Sequence, residues 1–83
     1  MNEKKFIERE KMIMEMEYEI ITNFIKLRKE TNISQEQLAK QTSVIRTTIA
    51  RIENNMNSPQ LKTMLELLEP LGYTLKIVPI KNK

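Results

Sequence analysis

Ile33-Ser34-Gln35-Glu36-Gln37-Leu38-Ala39-Lys40-Gln41-Thr42-Ser43-Val44-Ile45-Arg46-Thr47-Thr48-Ile49-Ala50-Arg51-Ile52-Glu53-Asn54 holds two short helical patterns separated by three or four residues. Ser34 is a favoured N-cap, and Gln37 three residues on completes a capping box, in which each satisfies a backbone donor near the other. Leu38 and Ala39 supply the inward face of a helix that ends near Thr42. A second helix runs from Val44 or Ile45 to Asn54, with Ile49 and Ile52 turned inward. Asn54-Asn55 stands in for the glycine that usually closes a helix end. Small Ala39 permits close approach where the two helices cross, the arrangement of a helix-turn-helix.

With Ile49 and Ile52 inside, Arg46, Thr47, Ala50 and Arg51 are left facing outward. Arginine donates two hydrogen bonds to guanine O6 and N7, and threonine meets a thymine methyl or a phosphate. Gln35 at the start of the first helix suits a phosphate or an adenine edge. Lys40 and Lys62 add contacts to phosphate that carry no sequence preference. The competing reading is that these are ordinary solvated side chains.

Outward from this unit, residues 1–30 read as helix. Phe6, Ile13, Ile20 and Leu27 recur every seven residues, with Met16 and Phe24 on the same side. No proline or glycine interrupts the stretch, so one helix and two remain equally open. Met12, Met14 and Met16 suit plain packing or an adaptable partner-binding face. Downstream, Ser58-Pro59 predicts the start of a further helix whose stripe is Leu61, Met64, Leu65, Leu68 and Leu71, stopped by Gly72. From Tyr73 to Pro79 the period changes to two, placing Tyr73, Leu75 and Ile77 on one face. A lone strand leaves its backbone unpaired, so its own copy across a two-fold axis is the expected partner.

Composition sets the outer bounds. The 83 residues form at most one domain, and a chain of this length buries only about 60–65% of its unfolded surface. Organisation is expected as a helical arm over 1–19, a helix-turn-helix bundle over 20–72, and a strand and tail over 73–83. There is no cysteine and no histidine. That removes disulfides, Cys/His metal sites and His-based catalytic triads, and points to a cytoplasmic protein with no cofactor and no metal. No apolar run approaches the roughly 18 residues of a membrane span, and no signal-peptide core is visible. An enzyme is the weakest class. The net charge of +3 is uneven: residues 1–20 hold four Lys/Arg against six Glu, and residues 21–83 hold ten against five. A basic body beneath an acidic-leaning arm suits a polyanion as the body's partner.

Leu27-Arg28-Lys29-Glu30, Ile33-Ser34-Gln35-Glu36-Gln37-Leu38-Ala39, Thr48-Ile49-Ala50-Arg51-Ile52-Glu53-Asn54 and Ser58-Pro59 together resemble the phage-repressor/Cro family, also called XRE, over roughly residues 20–71. The resemblance implies a mainly α fold, a four- to five-helix bundle; to this the alternating segment adds a short C-terminal β-strand used for dimer pairing. It also implies dimeric operator binding, with Gln35, Arg46, Thr47 and Arg51 at base or phosphate contacts. Arg28 falls beside Glu53, where relatives have a half-buried ion pair, with a further phosphate contact open to Arg28. Ser43 and Asn55 stand where the family often has glycine, which puts the turn's shape in question.

Glu17-Tyr18-Glu19-Ile20 and Leu71-Gly72-Tyr73-Thr74-Leu75-Lys76-Ile77 are similar to HigA-type antitoxins. That implies neutralisation of an mRNA-cleaving toxin of the RelE/HigB type and repression of the chain's own operon. Met12, Met16 and Tyr18 are the candidate toxin contacts. Two alternatives stand beside it: a dimeric repressor with no toxin, and an interaction module whose helix-turn-helix no longer holds DNA.

Overall fold

The computed structural model describes residues 3–80. Four α-helices succeed one another: α1 (Glu3–Glu30), α2 (Gln35–Gln41), α3 (Arg46–Glu53) and α4 (Leu61–Leu68), followed by a 3-10 turn at Glu69–Leu71. The fold is therefore mainly helical with four α-helices, and the upper count of five is not met among the described residues.

α1 is a single helix. At 1.5 Å per residue its 28 residues extend about 42 Å, which accounts for the molecule's 46 Å long axis. Only its last third enters the body, burying Ile21, Phe24 and Arg28. Ile21 and Phe24 join Leu38 of α2, Ile49 and Ile52 of α3, and Met64, Leu67 and Leu68 of α4 in the core, with Val44 and Leu71 closing it. Every residue from 3 to 20 is exposed. The seven-residue repeat of Phe6, Ile13 and Ile20 thus marks a helix, as expected, but not a core stripe. Periodicity identifies residues that line up, but the three short helices are too small to reach the outer half of α1 and cover them.

One device ends α1, α3 and the 3-10 turn. Asn32, Asn55 and Gly72 adopt positive φ (57°, 58° and 87°), the left-handed geometry of a helix C-terminus. At each, paired backbone bonds close the end: Ile33 N–H to Arg28 C=O with Asn32 to Lys29, Met56 to Arg51 with Asn55 to Ile52, and Tyr73 to Leu68 with Gly72 to Glu69. These are Schellman motifs, which satisfy carbonyls the helix would otherwise leave unpaired.

Two further expectations are corrected. α4 begins at Leu61, not at Ser58-Pro59, because its N-cap Gln60 is extended (φ −68°, ψ 152°) and the first helical turn cannot continue back through it. Its buried face is Met64, Leu67 and Leu68, whereas Leu61 and Leu65 are exposed. The C-terminal strand is not formed either: residues 73–80 carry no regular secondary structure. A strand exists only as half of a ladder, and among the described residues there is no other strand to pair with it. Leu75 packs half-buried against the core while Tyr73 is exposed and Ile77 is wholly exposed, so the three do not share one environment.

Candidate nucleic-acid interface

α2 is set by the capping box expected from the sequence. Ser34 Oγ accepts from Gln37 N–H at 3.0 Å, and Gln37 Oε1 accepts from Ser34 N–H at 2.8 Å. Leu38, with no exposed surface, pins the helix to the core, and Ala39 packs partly buried beside it. At the other end Thr42 Oγ1 donates to Leu38 C=O and accepts from Val44 N–H, so one hydroxyl bridges the helix end and the turn. Ser43 Oγ donates to the Glu66 carboxylate on α4. Ser43 keeps an ordinary φ, since the positive values belong to Asn32, Asn55 and Gly72. This turn is held by side-chain bonds.

α3 packs through Ile49 and Ile52, both essentially inaccessible. That burial rotates Arg46, Thr47 and Arg51 to the exposed side. Ile45 precedes them as the N-cap, exposed and without a side-chain cap bond. The sequence reading passed over it; the signal available was the Val44-Ile45 pair, one of which had to face outward on extended backbone.

The ion pair implied by resemblance is formed. Arg28 Nε donates to Glu53 Oε2 at 2.6 Å and its Nη2 to Glu53 Oε1 at 2.8 Å, a bidentate pair with side chains only 10% and 7% exposed. Nη1 donates to Ile33 C=O at 2.9 Å. All three guanidinium nitrogens are thereby engaged within the protein, and α1 is locked to α3. Gln35 joins them, its Nε2 donating to Glu53 Oε1 at 2.9 Å. Gln35 itself is half-buried. Lys40 lies on the exposed face of α2, 3.7 Å from Glu36 one turn earlier, and such a solvated pair holds it weakly.

The geometry brings Gln35 and Arg28 together with Glu53 and leaves Arg46, Thr47 and Arg51 as the outward set on α3. Residues 24–78 match the helix-turn-helix family. The chain belongs to that family. It is 47% identical over 64 residues to an uncharacterized HTH-type transcriptional regulator of Haemophilus influenzae, a match covering 77% of this chain and 65% of that protein. The chain thus spans somewhat under two thirds of that relative. Among solved structures it resembles a toxin–antitoxin module from Streptococcus pneumoniae, with 34% identity and a TM-score of 0.68, over 98% of this chain and 84% of the other. This helix-turn-helix protein therefore shares its outline with that module well beyond the residues the family defines.

The candidate toxin contacts fall outside the helix-turn-helix and do not form one face. Each residue turns the helix by about 100°, so Met16 and Tyr18 point about 200° apart. Met12 and Met16 lie one turn apart on one side. Tyr18 shares a shallow apolar groove with Phe6, Ile7, Glu10, Lys11, Met14 and Glu15 on the other.

Proposed function

We propose that this chain is a DNA-binding antitoxin: its helix-turn-helix body represses an operon and its N-terminal arm holds a toxin of the RelE/HigB type. One observation carries the second half. From Glu3 to Ile20, α1 projects from the body with Phe6, Ile7, Ile13, Met14, Tyr18 and Ile20 exposed. A helix apolar on more than one side is normally covered. The arm has six Glu against four Lys/Arg, which suits a basic partner, and an enzyme that grips mRNA must present a basic surface. The solved toxin–antitoxin module that matches 98% of this chain supports the same reading.

For the body, Arg46, Thr47 and Arg51 are the proposed base contacts, with Gln35 and Lys40 on phosphates and Arg28 acting through Glu53 to seat the recognition helix α3. A homodimer presents two such helices about 34–36 Å apart, one turn of DNA. Its proposed contact is antiparallel pairing of residues 73–79, through Tyr73 and Ile77 and the backbone around Leu75. The exposure of Ile77, Val78 and Ile80 supports that placement.

The test is co-expression with the product of the neighbouring gene. Rescue of growth together with co-purification is expected, and both should be lost when residues 1–19 are deleted. A harmless neighbour that never co-purifies would leave a stand-alone repressor, the reading favoured by the Haemophilus influenzae regulator.

A further inference from the structure

Ile45 sits at the leading end of α3 in an unfavourable role. It is the N-cap of the helix, extended at φ −74°, ψ 153°, and it makes no side-chain cap bond. Isoleucine is among the poorest N-caps; serine, threonine, asparagine or aspartate there would accept a hydrogen bond from the first turn. The side chain is 65% exposed, whereas its neighbour Val44 is only 9% exposed. Packing therefore explains Val44 and leaves Ile45 unexplained. Its backbone is well fixed: its carbonyl accepts from Thr48 N–H at 3.1 Å and Ile49 N–H at 3.2 Å. Directly after it come Arg46 and Thr47, both exposed on the same helix end.

An apolar side chain displayed there has one natural target in the major groove, the C5 methyl group of thymine. We infer that Ile45 reads a thymine methyl in each half-site, as a specificity residue beside the polar contacts of Arg46, Thr47 and Arg51. This rests on the DNA-binding reading above. It also explains the missing cap, because a serine or threonine in its place would improve the helix start and give up apolar surface at the groove.

The experiment starts with duplexes enriched by the full chain from a random library. Each thymine of the enriched sequence is then replaced singly by deoxyuridine, which removes only the methyl group. The wild-type chain should lose about fourfold in affinity at one thymine per half-site, the size expected for one buried methyl. Ile45→Ser should bind the thymine duplex more weakly and show no discrimination at that step, while Ile45→Val keeps it. Ile45→Ser should at the same time raise the melting temperature by about 4–8 °C through the restored cap. A residue with a merely structural role would not move stability and affinity in opposite directions. Equal affinity for every deoxyuridine duplex, or unchanged discrimination in Ile45→Ser, would overturn the inference alone. If no sequence is enriched, the DNA-binding reading fails and takes this inference with it.

Discussion

Glu53 is the side chain on which three helices of the body meet. It accepts two bonds from Arg28 and one from Gln35, and so ties α1, α2 and α3 together at nearly full burial. Removing it leaves a guanidinium buried without its counter-charge, and Glu53→Ala should cost about 3–5 kcal/mol in urea unfolding. Replacing both partners with apolar residues, Arg28→Met with Glu53→Leu, should recover most of that loss; a double variant as weak as the single would remove the stranded charge as the cause. Arg46→Ala and Arg51→Ala should each weaken operator binding by about 1–3 kcal/mol in an anisotropy titration and relax preference at one base pair, without lowering stability. At this scale the sequence was legible where a motif has fixed partners: the Ser34/Gln37 box and the Arg28–Glu53 pair stand at hydrogen-bond distance. It was illegible where no motif links the two partners. Neither the Gln35–Glu53 bond nor the Ser43–Glu66 bond follows from any local pattern.

The helices differ in what sustains them. α2, α3 and α4 are seven or eight residues long, too short to persist alone, and each survives by burying Leu38, Ile49 and Ile52, or Met64, Leu67 and Leu68. The end of α3 depends on Asn55 in the left-handed region, so Asn55→Ala should cost about 1 kcal/mol while Asn55→Gly is neutral or stabilising in thermal unfolding. α1 is different, because its first 18 residues give nothing to the core. Their amides should exchange with deuterium far faster than those of Ile21 to Arg28 in the isolated chain, and become protected when the arm is covered; slow exchange in the isolated chain would contradict the exposed arm. Hydrophobic periodicity found the helices but misjudged the buried face of α4. A repeat records which residues align on a cylinder, and burial depends on whether another element is within reach. The C-terminal segment shows the same limit, since its alternation describes a strand and a single chain supplies no ladder for it.

As a whole, the molecule is a small body on one end of a long helix, with a radius of gyration of 14.5 Å against roughly 12 Å for a compact chain of this length. That shape separates two surfaces: α3 on the body, proposed for DNA, and the arm, proposed for a protein partner. Binding to duplex should fall steeply with salt, since each phosphate met by a Lys or Arg releases a counterion. A flat salt dependence would remove the phosphate contacts assigned to Lys40 and its neighbours. The most direct test of the division of labour is sedimentation velocity on a mixture of the chain, the neighbouring gene's product and the enriched duplex. One complex containing all three is expected. Deleting residues 1–19 should release only the protein partner, and the Arg46→Ala/Arg51→Ala double variant should release only the duplex. A variant that loses both partners, or neither, would contradict the separation of the two surfaces.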